Sequence, residues 1–327
     1  MTRLQLTMAV SHYDHCIDIV TGRVPIEGID LTCMELPLHD IFQRTVGWAD
    51  FDIAEMSTAK YVSMRSQGDD RLIALPVFLS RVARHSAIYV RKDRIRTAAD
   101  FAGKRVGVPE WAQTAAVYGR GVMQHELGID LRKVKWVQAG LEQAGRAEKV
   151  PLKLPAGLEL TPIADRSLTD MLDRGDLDAV VAATPPKCFH SNPDVVRFYD
   201  NWLEAEMEYA RTKKILPIMH TLVVKKTVLD KAPWAAGNIF YAFDTARRNS
   251  VKRCEYLGAS VVPIPWVSEA VAAAKKAMGG DMWPYGLEAN RPTLEAFLQF
   301  AYEQGVCHRL MKPEEIFPPQ THHAVRV

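Results

Sequence analysis

The sequence predicts an α/β fold of two lobes, and three observations carry that prediction. Short apolar, β-branched runs alternate with longer stretches of helical periodicity, the pattern of strands and helices packed in layers. The pattern then repeats: Trp48-Ala49-Asp50-Phe51-Asp52-Ile53 and Arg174-Gly175-Asp176-Leu177-Asp178-Ala179 both turn from a helix end through acidic residues into an apolar strand. Finally, the runs Ser86–Val90 and Thr221–Val224 each follow a histidine (His85, His220) and precede two basic residues, so they read as crossings between lobes. On this reading residues 1–88 and 222–327 form the first lobe, residues 89–221 the second, and a ligand cleft lies between them.

The elements follow from local pattern. Leu4–Val10 alternates as a strand, His15–Val20 starts a helix, and Ile29–Met34 resumes as strand. Leu38, Ile41, Phe42 and Val46 have helical spacing. Phe51–Glu55 is a short strand, after which Ser57-Thr58 can cap a helix through Met64. In the second unit Lys104–Val108 and Lys135–Val137 are strands around a helix at Thr114–Leu127. Leu168–Arg174 is helical and stops at Gly175, a natural C-cap, before the strand Asp178–Ala183. The 140–166 stretch reads as a loop, and the chain from Pro233 onward as helices returning to the first lobe.

Composition narrows the function. The 327 residues are 48% hydrophobic and 24% charged, enough for a full core in one large or two ordinary domains. A formal net charge of +2, with no basic stripe or zinc-finger spacing, argues against nucleic acid as a partner. Gln5 and Thr7 interrupt the N-terminal apolar run, and no stretch approaches the ~20 apolar residues of a membrane span. Five scattered cysteines without CxxC spacing fit reduced thiols. The expectation is a cytoplasmic protein, a homo-oligomer, that acts on a small molecule.

In open α/β sheets ligands bind beyond the carboxyl ends of the strands. That rule selects the polar segments around His12, around Ser57 and Thr58, from Glu110 and Trp111 to Gln113 and Thr114, and at Thr184. Ser57-Thr58 and Gln113-Thr114 open helices, whose free N–H groups favour an anion, although simple capping accounts for them equally well. His85 and His220 at the crossings are candidate bases, and Arg81 and Arg84 candidate carboxylate clamps; a satisfied structural histidine or a surface arginine is the plainer alternative. His12, Asp14 and His15 can ligate a divalent metal, the weaker reading of a loosely spaced loop. No nucleophile elbow or P-loop is present, and no cofactor is called for.

Several strings together resemble a known family. Gly107-Val108-Pro109-Glu110-Trp111-Ala112-Gln113-Thr114-Ala115, Tyr118-Gly119-Arg120-Gly121, Trp283-Pro284-Tyr285-Gly286, Asn290-Arg291, Glu303-Gln304-Gly305 and Glu314–Phe317 resemble the 4,5-dihydroxyphthalate decarboxylases of bacterial phthalate degradation. The resemblance covers essentially the whole chain. It implies a type II periplasmic-binding-protein-like fold with a double hinge crossover, a small aromatic dicarboxylate substrate, and carboxy-lyase chemistry. For that chemistry His85 or His220 would take a phenolic proton and Glu110 or His12 would protonate the ring. Arg81 or Arg84, with Ser57 and Thr114, would hold the retained carboxylate. A non-catalytic solute-binding protein for an organic anion is the competing class.

Overall fold

A computed structural model of the chain describes residues 3–259 and 261–322, so the outermost ends of the expected first lobe lie outside the described residues. The first sheet is built from β1 (Leu4–Ala9), β2 (Ile29–Met34), β3 (Ile53–Ser57), β4 (Leu72–Arg81) and a late strand, β11 (Ile218–Lys225), in the order β2-β1-β3-β11-β4. Helices α1 (Ile17–Val20), α2 (Leu38–Trp48) and α3 (Thr58–Ser66) connect its strands. β1 pairs parallel with β2 and β3, whereas β11 runs antiparallel to both β3 and β4.

The second sheet has the order β10-β5-β9-β6-β7-β8. Its strands are β5 (Ile88–Arg91), β6 (Arg105–Val108), β7 (Lys135–Gln138), β8 (Leu160–Pro162), β9 (Ala179–Val181) and β10 (Val195–Arg197). Helix α4 (Thr114–His125) follows β6 and α5 (Leu168–Asp173) precedes β9; α6 (Trp202–Lys213) follows β10. The chain therefore crosses between sheets twice, at 82–87 and at 198–217.

Neither expected crossing run is a strand that spans both sheets, although Ser86 and Ala87 lie in the first crossing. Thr221–Val224 is the middle of β11, paired on both sides within the first sheet, and Ile88–Val90 lies wholly in the second. Two elements escape the pattern reading. β4 contains Pro76, which lacks the amide a central strand needs; the sheet tolerates it because β4 is an edge strand. The charged surface of α6 hides its period, with only Tyr209 and Ala210 buried.

The C-terminal helices do more than return to the first lobe. After α7 (Lys226–Lys231), α8 (Ala235–Glu255) packs on α1 and β4, while α9 (Val267–Met278) packs on α6 and α8. Helix α10 (Arg291–Glu303) touches α3 of one lobe and α4 of the other. Close approach there explains two glycines inside α4, where each costs about 1 kcal/mol relative to alanine. A Cβ on Gly121 would lie 2.4 Å from the Phe300 ring of α10, and one on Gly119 2.5 Å from Val181 of β9. Arg120 between them is fully buried, its guanidinium 3.7 Å from the Trp111 ring centroid and its Nε donating to Gln304 Oε1 at 2.9 Å. Among the described residues no helix is long and apolar enough to cross a membrane.

Candidate functional site

The ends of β3, β4, β6, β9 and β11 bring polar groups from both lobes to one cavity of about 410 Å³. β3 delivers Ser57 and the start of α3; the turn after β6 delivers Glu110, Gln113 and Thr114 at the start of α4. β9 leads to Ala183 and Thr184, and β4 and β11 contribute Ser80 and His220. Leu38, Phe42 and Val46 of α2 form an apolar wall. A larger recess of about 880 Å³, lined by α2 and the 140–149 segment, adjoins it and shares His39, Val46, Arg146, Lys149 and Thr184 with it.

The two helix starts meet across the lobes. Ser57 Oγ and Thr114 Oγ1 are 2.9 Å apart, and Thr114 Oγ1 accepts the Ala59 amide of α3 at 3.0 Å. Neither Ser57 nor Gln113 caps its own helix with its side chain. Simple self-capping, the plainer alternative for Ser57 and Thr114, is therefore not what these residues do. Two N-terminal dipole ends instead face one cavity, a setting that favours an anion.

Charge reinforces this. Lys60 of α3 reaches into the second lobe to pair with Glu110 (2.6 Å) and with Glu148, and Arg146 Nε meets the other Glu110 oxygen at 2.6 Å. Burial by itself would raise the Glu110 carboxyl, but the neighbouring Lys60 and Arg146 charges outweigh it and hold the group below its ordinary value. Glu110 is thus a fixed carboxylate and a poor proton donor at neutral pH, contrary to the role expected for it. Arg84 has no carboxylate partner: its guanidinium donates to the Ala183 carbonyl (3.0 Å) and to the Met219 thioether (2.9 and 3.2 Å). Burial pushes it down to about 10, so it stays charged at neutral pH. Lys149, lowered by partial burial, also lines the cavity without an ion pair among the described residues. The cavity region holds four cations (Lys60, Arg84, Arg146, Lys149) against three carboxylates, Glu110, Glu148 and the Glu55 behind His220, a surplus of one positive charge.

On the opposite wall His220 Nδ1 lies 2.6 Å from Glu55 Oε1, and the ring packs edge-on against Phe42 at 4.8 Å. Glu55, completely buried in β3, also accepts the Tyr13 hydroxyl at 2.6 Å and the Ser11 amide at 2.8 Å. Burial and the adjacent carboxylate push the Tyr13 phenol far above its ordinary value, so it remains a donor.

Of the candidates read from the sequence, Ser57, Arg84, Glu110, Gln113, Thr114, Thr184 and His220 line the cavity. The others sit elsewhere. Thr58 is buried in the first turn of α3, and Trp111 is fully buried, donating its indole N–H to the Gln304 carbonyl at 2.7 Å. Arg81 donates through its terminal nitrogens to the carbonyls of Leu216 and Pro284 and to the Asn290 side chain, and it lies outside the cavity lining. His85 is 1% exposed, bonded to Glu126 at 3.0 Å and enclosed by Tyr199 and Tyr209. His12 lines a separate depression of about 210 Å³ with Cys33 and Glu35. Asp14 is engaged by Ser250 and Arg253, and His15 is packed between Tyr13 and Trp283, where burial pushes it down to about 4. Among the described residues no three such side chains gather as a metal site.

Comparison with known proteins adds identity to geometry. A 4,5-dihydroxyphthalate decarboxylase from Comamonas testosteroni is 35% identical over 330 residues, covering 100% of both chains. One from Pseudomonas putida is 40% identical over 223 residues, 65% of this chain and 86% of its own. No family model matches the sequence. Among solved structures, a putative periplasmic sulfonate-binding protein from Methylobacillus flagellatus superposes with a TM-score of 0.57 at 10% identity, over 98% of this chain and 93% of that one. The periplasmic aliphatic sulphonate-binding protein of Escherichia coli gives 0.52 at 11% identity, over 98% and 99%. These likenesses establish the two-lobe periplasmic-binding-protein-like fold.

Proposed function

Because the chain belongs to the family of 4,5-dihydroxyphthalate decarboxylases, we propose that it removes one carboxyl group from 4,5-dihydroxyphthalate in the cavity between its lobes, yielding protocatechuate and carbon dioxide. The observation that carries this reading is the full-length correspondence to the Comamonas testosteroni enzyme. The cavity fits it chemically, since Arg84 and Lys149 line it without a carboxylate partner among the described residues and a net positive setting favours an anionic substrate.

Direct loss of carbon dioxide would leave an aryl carbanion. Protonating the ring carbon first avoids that, and the hydroxyl para to the departing carboxylate supplies the electron density. His220 takes the phenolic proton, and the ring carbon receives a proton from the cavity's unpaired ammonium, Lys149, which solvent recharges. The C–C bond then breaks, carbon dioxide leaves, the electron pair restores the aromatic ring as its phenolate, and the His220 imidazolium returns the phenolic proton to that oxygen. One proton is consumed overall, as a dianion becomes a monoanion. Arg84 with the helix starts at Ser57 and Thr114 holds the carboxylate that stays, Gln113, whose buried Oε1 has no protein partner, accepts from a catechol hydroxyl, and the apolar α2 wall receives the ring face.

Five free cysteines suit a reducing compartment, which supports a cytoplasmic assignment, and a homo-oligomer belongs to the same proposal, to be read by light scattering. The deciding experiment incubates the purified protein with 4,5-dihydroxyphthalate and measures protocatechuate and carbon dioxide. Equimolar release is expected, with or without chelator; saturable binding without either product would make the protein a binding protein instead.

A further inference from the structure

We infer that Glu55, fixed by Tyr13 and the Ser11 amide, is a positioning residue that sets the orientation and tautomer of His220, so that Nε2 is the nitrogen presented to the substrate hydroxyl. This rests on the reading of the cavity as a decarboxylation site and adds to it a residue that touches no substrate.

Every residue of β3 is buried. A carboxylate between Ala54 and Met56 in such a strand is costly unless its oxygens are occupied. Glu55 meets that demand: Oε2 takes the Ser11 amide, and Oε1 takes both the Tyr13 hydroxyl and His220 Nδ1, each at 2.6 Å. Strand alternation puts Glu55 and Ser57 on the same face of β3, and β11 pairs His220 opposite Ser57 and Leu222 opposite Glu55. The histidine therefore lies diagonally over the carboxylate while reaching the cavity. An ionised carboxylate only accepts hydrogen bonds, so Nδ1 must donate, and a neutral ring then carries its lone pair on Nε2. Phe42 packed edge-on at 4.8 Å holds the ring plane. With Tyr13 a permanent donor, the phenol does not compete with the imidazole for a proton.

In the chemical step the substrate O–H bond breaks and its proton forms an N–H bond at Nε2. The electron pair stays on oxygen as phenolate. Glu55 remains ionised and faces the new imidazolium through the bond it already makes.

The test is ¹⁵N NMR of the imidazole in the full-length protein without substrate, with His220→Asn assigning the signal. Wild type is expected to show His220, when neutral, as the Nδ1–H tautomer. Glu55→Gln should lose that bias and lower kcat by about 10²-fold, within the range typical of a general base, with KM changed less than about threefold. Tyr13→Phe, which preserves shape should Glu55→Gln fold poorly, should keep the tautomer but broaden the signal and lower kcat less. An unchanged tautomer and unchanged kcat in Glu55→Gln, or in a poorly folding case an Nε2–H ring in wild type, would overturn the inference. Because the spectrum needs no turnover, failure of wild type to release carbon dioxide would count against the proposed reaction alone.

Discussion

His85 and His220 occupy near-identical sequence contexts, each followed by an apolar strand and two basic residues, yet the fold uses them in opposite ways. Both meet a carboxylate. His85 meets Glu126 through Nε2 and is then enclosed by Tyr199 and Tyr209, with Nδ1 left without a partner. His220 meets Glu55 through Nδ1 and keeps its other edge on the cavity. The same division separates Arg81 from Arg84. Three positions apart and both deeply buried, one is held by two carbonyls and Asn290 outside the cavity, while the other lines it with a thioether and a single carbonyl as partners. The lesson is that burial does not distinguish a working charge from a structural one; the partners already in place do.

Substitution separates the working groups from the structural ones. His220→Ala should lower kcat by ~10²–10⁴-fold with a smaller change in KM, measured by steady-state kinetics. Lys60→Met should leave the buried Glu110 without its lobe-bridging partner and Glu148 short of a cation, costing about 3 kcal/mol in denaturant unfolding. Its pH dependence has a definite sign. Glu110 is held below its ordinary value of 4.5, so the stabilisation is complete above that pH and fades as pH falls below it through the folded value. The gap between wild type and Lys60→Met should therefore narrow in acid. Arg84→Met should raise KM about 10–100-fold with less effect on kcat, since hydrogen bonds to charged groups contribute roughly 1.5–3 kcal/mol. His85→Ala should have the smallest effect on turnover, less than about threefold, while lowering the melting temperature through lost packing.

The sequence made much of this legible, for identifiable reasons. Strand-end loops are local features, so Ser57, Glu110, Gln113, Thr114 and Thr184 could be picked out by rule. Lys60 could not, because it lies in the second half-turn of a helix and gains meaning only when the other lobe brings Glu110 and Glu148 to it. Arg146 and Lys149 sit in a stretch that reads as an excursion, and nothing local says that it borders the cleft. Glu55 did carry a signal: a carboxylate set among Ile53, Ala54 and Met56 in a strand must find partners, and those partners define the histidine wall. The strings that carried the family resemblance prove largely architectural. Arg120 and Gln304 tie α4 to α10, and Asn290 holds Arg81, so they mark the family by its scaffold more than by its chemistry.

The placement of the substrate can be read from a crystal structure with phthalate bound, because phthalate has both carboxylates but no hydroxyl to start the reaction. One carboxylate is expected against Arg84 and the starts of α3 and α4, with the ring on the α2 wall and the carbon that would bear the hydroxyl facing His220 Nε2. Phthalate found instead in the depression beside His12 and Cys33, or bound with its carboxylates turned away from Arg84, would contradict this placement.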